Sequence, residues 1–394
     1  MKKEITRIVA DENIPFVYET FGHAGEVHTL NGRAINPEVV RDADVLLVRS
    51  VTRVDRALLE NSSVRFVGST TIGTDHIDRD YLRERGIVFA HAPGSNATSV
   101  VEYVLASLLW TAVRKKVSLR GKTVGIVGVG NIGSRLAGRL PALGMRVLKN
   151  DPPLQAAAEE AGKAHDFVSL EQVLAESDIV TLHVPLERKG PYATYHLIDG
   201  AALAHMKPGA WLVNTCRGAV VDNPVARRAI EAGALGAALF DVWEGEPEID
   251  PELVRLTDVA TPHIAGYSFD GKVLGTTMVY DAFVEHFGLP HVWDSEVVLS
   301  GAGEDHLDLN PPAFDEGETS WLFALVQQMY DVVADDARMR KLPDLPPDEQ
   351  GAYFTALRKN YPRRRTFSRF NLPVRVVPAA YREAVRNGLL VNLV

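Results

Sequence analysis

The chain has 394 residues, with 42 Lys and Arg against 51 Asp and Glu, a formal charge of −9. Hydrophobic residues make up 46% and charged residues 24%, which excludes a disordered or fibrous chain and fits two or three globular domains. No apolar run reaches the roughly 18 residues of a membrane helix, the single Cys216 excludes an internal disulfide and a cysteine-built zinc site, and the opening MKKEITRIVADEN lacks an apolar signal-peptide core, so a cytoplasmic protein is expected.

From residue 5 to 90, short apolar runs at Ile5–Ala10, Val45–Val48, Arg65–Val67 and Ile87–Ala90 predict buried strands. Stretches such as Pro37–Ala43 and Asp55–Glu60 between them suit helices, and the alternation predicts βα units with a parallel sheet. Residues 96–113, NATSVVEYVLASLLWTAV, are apolar on most faces and predict a buried helix.

A second series starts at Lys122. Its predicted strands are Val124–Val127, Arg146–Lys149, Ile179–His183, Trp211–Asn214, Ala237–Asp241 and Val259–Thr261, with helices at Ile132–Leu140 and Leu170–Ala175 among those between. Together they make a doubly wound nucleotide domain. Beyond residue 290 come Pro-rich joints at Asn310–Pro312 and Leu342–Pro347 and one amphipathic helix, Trp321–Val333.

Gly128, Gly130 and Gly133 form G-x-G-x-x-G directly after the strand Val124–Val127 and at the start of a helix. That context is what a dinucleotide site requires. The first glycine permits the turn, the second lets backbone approach a pyrophosphate, and the third lets helix pack on strand. The first N–H groups of the helix, at Asn131 and Ile132, then face the phosphate charge. The next strand ends in Asp151, an acid placed to accept bonds from the adenosine ribose and to repel a 2′-phosphate, which favours NAD over NADP. A helix cap is the competing use of Asp151.

Three polar residues follow later strands: Arg217 in CRGAVVD, Glu246 in DVWEGEPE and His263 in ATPHIAGY. The set suits removal of a proton and a hydride from a 2-hydroxy acid. Histidine takes the proton, a carboxylate holds the ring, and arginine forks onto the substrate carboxylate. Asp241 can meet the nicotinamide or close a turn. A structural histidine and a surface Arg–Glu pair are the plain alternatives. Cys216 ends an apolar strand and reads as an inert, buried thiol. The remaining histidines show no ligand spacing, so no metal is expected.

At these residues the chain resembles the D-isomer-specific 2-hydroxyacid dehydrogenases. The segments VADENIPF, LLVRSVTRV, FVGSTTIGTDHID, APGSNATSVVEY, GIVGVGNIG, NTCRGAVVDN, DVWEGEPE and HIAGYSFDGK carry the likeness. It implies an α/β fold: a doubly wound Rossmann NAD domain (97–266), a flavodoxin-like substrate or lid domain (1–96, completed by 267–290) and a C-terminal α+β dimerisation domain (291–394). It implies Arg217 and Glu246 as catalytic, His263 as proton donor or acceptor, and Ser50, Thr71 and Tyr267 as substrate contacts. It also implies Asp151, Asp241 and Gly266 at NAD and a homodimer through the C-terminal domain. Another dehydrogenase of the same fold, such as one for 3-phosphoglycerate, and an NAD-sensing protein without turnover are the rival readings.

The net charge conceals an asymmetry. Residues 355–394 hold nine basic residues and one acid, Glu383, a net of +8 that leaves −17 on the other 354 residues. Nucleic acid is a weak reading for this tail, because the body is acidic. The resemblance implies a small phosphorylated 2-hydroxy acid as substrate, which gives it a better one. Arg49 and Arg53, flanking Ser50, are candidate phosphate ligands. The tail offers Arg358 or one of Arg363, Arg364 and Arg365, lent to the substrate phosphate of a partner subunit.

Overall fold

The structure, a computed structural model, describes residues 5–300 and 317–394. The joint expected at 310–312 lies outside the described residues. Backbone contacts divide the chain into two compact units, Met1–Asn96 with Ser268–Gly303, and Ala97–Tyr267 with Glu304–Val394.

In the first unit the apolar runs become β1 (Arg7–Asp11), β3 (Val45–Val48), β4 (Phe66–Ser69) and β5 (Val88–His91). A further strand, β2 (Glu26–Leu30), was not among the expected ones. All pair in parallel in the order β2-β1-β3-β4-β5, with Ile8 opposite Val45. This is the flavodoxin-like order. Short helices begin on side-chain caps, Asp55 on Leu58 N–H and Asp78 on Tyr81 N–H. The long helix Phe269–Phe287 covers one face. A Cβ on Gly68 would stand 2.4 Å from Val279, so the glycine lets helix and sheet close up. Phe21 and Phe66 pack edge to face on Tyr280 and Phe283 of this helix.

The second unit is built on β6 (Thr123–Val127), β7 (Arg146–Asn150), β8 (Ile179–Leu182), β9 (Trp211–Asn214), β10 (Ala237–Phe240) and β11 (Val259–Ala260). Their order is β11-β10-β9-β8-β6-β7, all parallel. A parallel bridge from Lys149 to Phe167 adds one more position outside β7. The order of connection therefore reverses between β6 and β8, the switch point at which doubly wound sheets bind ligands. The helix Ala97–Lys115 is buried along most of its length, as its apolar faces require.

The C-terminal residues, expected as a separate domain, share this unit's core. Trp321, Leu325, Phe367, Val385 and Leu389 belong to the same buried cluster as Val104, Leu108 and Val124. The helix expected over 321–333 is two helices, Gly317–Met329 and Val332–Met339. The break has a local cause, because Asp331 caps the second helix on Ala334 N–H. From that helix Asp336 accepts the N–H of Ala260 at 2.8 Å, satisfying the edge strand β11.

Candidate active site

The turn after β6 meets each demand of a phosphate cradle. Gly128 has φ +89°, and a Cβ there would stand 2.7 Å from the His183 backbone. A Cβ on Gly133 would stand 2.0 Å from the Gly128 carbonyl, so the helix Asn131–Arg139 needs that glycine to seat on the strand. Gly130 has open space on its Cβ side, and no side chain caps the helix it precedes. The N–H groups of Asn131 and Ile132 are left facing outward. An NAD pyrophosphate fits this turn.

Asp151 serves two backbone groups at once. Oδ1 accepts from Leu154 N at 3.0 Å, capping the helix Pro152–Glu160, and Oδ2 accepts from Val129 N at 2.8 Å. Asp151 is thus a helix cap and also a brace for the glycine turn. Each oxygen retains a second lone pair for a ribose hydroxyl.

Past the ends of β9, β10 and β11, the structure gathers the polar set. His263 Nδ1 lies 2.8 Å from Glu246 Oε2, and Glu246 Oε1 accepts from Trp243 N at 2.9 Å. Burial would raise the Glu246 carboxyl, but His263, the Trp243 N–H and the charge of Arg358 outweigh it and hold the pKa below the ordinary value. His263 Nε2 makes no hydrogen bond among the described residues and is available to a substrate.

His263 itself has φ +58°, a strained setting for a non-glycine residue. Asp241 explains how it persists. Its carbonyl accepts from His263 N at 2.6 Å, and its carboxylate takes Ile264 N, Ala265 N and the Thr261 hydroxyl. Asp241 is therefore the fixture of the histidine loop. Its pKa is raised by burial. Gly266 and Tyr267 complete the same turn, with Tyr267 N bonded to Ile264 O at 2.7 Å.

Arg217 follows β9, with Nη1 bonded to Cys216 O at 2.7 Å. The neighbouring Gly218 was not among the expected residues. A Cβ there would stand 1.9 Å from the Trp243 carbonyl carbon, so only glycine lets the Arg217 loop lie on the loop leading to Glu246. Cys216 is buried, and its thiol is pushed up to about 11 by burial.

Comparison with known sequences places residues 101–265 in the family of the D-isomer-specific 2-hydroxyacid dehydrogenase NAD-binding domain. Residues 312–384 match a domain of unknown function. The chain is 51% identical to the erythronate-4-phosphate dehydrogenase of Salinibacter ruber over 98% of its length and 99% of that protein's. It belongs to the erythronate-4-phosphate dehydrogenase family. The enzyme of that name from Cronobacter sakazakii is 45% identical over 92% of each chain. Among solved structures, the TT0316 protein of Thermus thermophilus superposes with TM-score 0.62 and 28% identity, covering 73% of this chain and 98% of its own. A D-lactate dehydrogenase of Aquifex aeolicus, complexed with NAD and lactic acid, does so with TM-score 0.57 and 26% identity over 71% and 96%.

In this member of the erythronate-4-phosphate dehydrogenase family, the remaining expected residues sit in the first unit. Ser50 is exposed just beyond β3. The Thr71 hydroxyl pairs with Ser69 Oγ at 2.9 Å, beyond β4. Arg53 is ion-paired with Asp55 at 2.8 Å with 84% of its side chain exposed, which makes it a solvated surface pair. Arg49 instead has a cationic neighbour that sequence reasoning missed, Lys272 in the first turn of Phe269–Phe287. Burial and the charge of Arg49 bring Lys272 down to about 8. Among the described residues no group of acids, histidines and cysteines could hold a metal ion, and no helix is long and apolar enough to cross a membrane.

The tail differs from expectation. Arg364 and Arg365 are buried in their own chain. Arg364 meets Glu102 at 3.6 Å, donates to Ser99 O and lies 3.8 Å from the centroid of the Tyr330 ring. Neither is free to serve a partner subunit.

Proposed function

We propose that the protein oxidises 4-phospho-D-erythronate to 3-hydroxy-2-oxo-4-phosphooxybutanoate with NAD, in vitamin B6 biosynthesis. The observation that carries the reading is the His263–Glu246 pair, in the same unit as a dinucleotide turn, in a chain matched over 98% of its length by an erythronate-4-phosphate dehydrogenase.

NAD, when bound, supplies the acceptor for the hydride leaving C2. The glycine turn 128–133 and Asp151 hold it. With Nδ1 directed at Glu246, His263 offers Nε2 to the substrate hydroxyl and takes its proton as the C–O bond becomes C=O. Glu246 fixes the ring and faces the imidazolium that results. Arg217 forks onto the carboxylate beside the reacting carbon. Ser50, Thr71 and Tyr267 are further substrate contacts, with Arg49 as an anion ligand. Asp241 and Gly266 set a loop that would help hold the nicotinamide.

A homodimer through residues 291–394 and a cytoplasmic location belong to the same reading. The first is supported by the family resemblance of the C-terminal segment. The second is supported by the use of NAD and the free thiol of Cys216. Light scattering on purified protein gives twice the chain mass if the dimer is right, and the chain mass alone overturns it.

The deciding assay compares NAD reduction by 4-phospho-D-erythronate and by 3-phosphoglycerate. A strong preference for the first is expected. The reverse preference refutes the assignment.

A further inference from the structure

We propose that Arg358 recognises the phosphate of the substrate, and does so within its own chain. The inference rests on the proposed function and names the residue that sets its specificity.

Arg358 stands in the last turn of the helix Pro347–Lys359. Its guanidinium carbon lies 6.0 Å from the centroid of the Tyr267 ring, and its charge is felt at Glu246. Tyr267 is braced from another side by Tyr361, ring to ring at 5.6 Å. The helix thus delivers a cation beside the residues that hold and face His263.

Among the described residues that cation has no anionic partner. Arg358 makes no hydrogen bond or ion pair among the described residues, and its Nε is shielded from solvent without an acceptor. Neighbouring arginines differ. Arg338 meets Asp335, Arg340 meets Asp336 and Arg364 meets Glu102. Among the described residues no hydrogen bond or ion pair joins Arg358 to Glu246, whose carboxylate oxygens face His263 and Trp243 N. The shielded Nε lacks an acceptor and the half-buried guanidinium carries further unused donors, which suits it to an incoming anion.

The substrate brings two anions. Its carboxylate adjoins the reacting carbon and falls to Arg217. The phosphate, two carbons further, needs a separate cation. Arg358 comes from the 312–384 stretch, outside the matched NAD domain at 101–265. The D-lactate dehydrogenase complex holds lactic acid, which has no phosphate, and its protein is covered over 96% while matching only 71% of this chain. A cation supplied by chain beyond the shared fold therefore accompanies an anion that lactate lacks. The proposal assigns Arg358 to its own chain rather than to a partner subunit, because its guanidinium lies over Tyr267 and its charge acts on Glu246 of its own unit.

The test uses full-length protein with NAD and compares kcat/KM for 4-phospho-D-erythronate and for D-erythronate. Arg358→Ala is expected to lower the ratio of the two by roughly 10- to 100-fold, the effect of losing a charge-assisted bond. Arg358→Lys retains part of the ratio, and Arg358→Gln, which keeps the stem over Tyr267, loses it as Ala does. Inorganic phosphate should inhibit D-erythronate oxidation by the wild type and do so several-fold more weakly in Arg358→Ala. An unchanged ratio in folded variants, judged by Tm, overturns the inference while the function stands. A wild type that fails to turn over the phosphorylated substrate overturns the function and this inference together. Recovery of activity on mixing Arg358→Ala chains with His263→Ala chains overturns the own-chain assignment.

Discussion

His263 Nδ1 and Glu246 Oε2 stand 2.8 Å apart, and the pair is held from both ends: Glu246 by the N–H of Trp243, His263 by the backbone of Asp241. The lowered carboxyl of Glu246 makes this relation visible in stability. A group depressed in the folded state binds fewer protons there than in the unfolded chain. Its contribution is present above the ordinary glutamate value of 4.5 and is lost as pH falls through the folded pKa. Glu246→Gln should therefore lower Tm near neutral pH, with the gap to wild type closing in acid. Thermal scans across pH check this, and a gap that widens in acid contradicts it.

His263→Ala removes the proton acceptor and leaves the cradle for NAD intact. The expected result is a kcat reduced by roughly 10²- to 10⁴-fold, with little change in KM for NAD. Steady-state formation of NADH measures both. A variant that turns over at the wild-type rate would mean another group takes the proton.

Asp151 combines two duties that substitution can separate. Asp151→Asn keeps an oxygen for the cap, loses the charge and gives up the acceptor for Val129 N–H, whereas Asp151→Ala loses the cap as well. The first should mainly relax the preference for NAD over NADP. The second should do so and also cost about 1 kcal/mol of stability, the usual loss of a cap. Ratios of kcat/KM for the two cofactors, with denaturant melts alongside, distinguish them. Equal cofactor ratios in all three proteins would remove Asp151 from the ribose.

What the sequence disclosed follows a physical line. Buried parallel strands are short apolar runs, so Val45–Val48 and Trp211–Asn214 are found at their observed bounds. The edge strand Glu26–Leu30 is half exposed and carries no such run, and it went unseen. Gly128 and Gly133 were legible because their roles are local. Asp151 was legible as cap and as cofactor acid, and the structure shows the cap duty together with an unforeseen brace to Val129. The neighbours of Gly218, Lys272 and Arg358 were hidden for one reason. Each acts on a residue far along the chain, Trp243, Arg49 and Tyr267 respectively, and only the fold sets such neighbours.

Gly218→Ala tests the close approach directly. Its Cβ would meet backbone atoms at 1.9, 2.0 and 2.4 Å, which cannot rotate away. The two loops must part, at about 1–3 kcal/mol or more by analogy with overpacked cores, and Arg217 moves with them. Reduced stability and a reduced kcat/KM are expected together. Gly138→Ala, in open space on the helix Asn131–Arg139, is the control and should gain roughly 0.5–1 kcal/mol. If both substitutions behave alike, the loop contact is not what holds Arg217.

Arg364 returns the question of the basic tail to energetics. A solvated or partner-binding arginine can be removed with little effect on the stability of its own chain. Arg364 is different, with its side chain 3% exposed and that of Glu102 1% exposed, and with Glu102 Oε1 also accepting from Phe367 N at 2.8 Å. Arg364→Ala takes one cation away from a buried carboxylate, a loss of about 3–5 kcal/mol, whereas Arg364→Met with Glu102→Gln should recover part of it. Urea melts should show midpoints shifted with similar slopes. A single variant as stable as wild type would return Arg364 to the surface. The expected loss makes this part of the +8 segment a buried fastening that ties residues 364–367 to the helix Ala97–Lys115, and leaves Arg358 as the tail cation with chemistry to do.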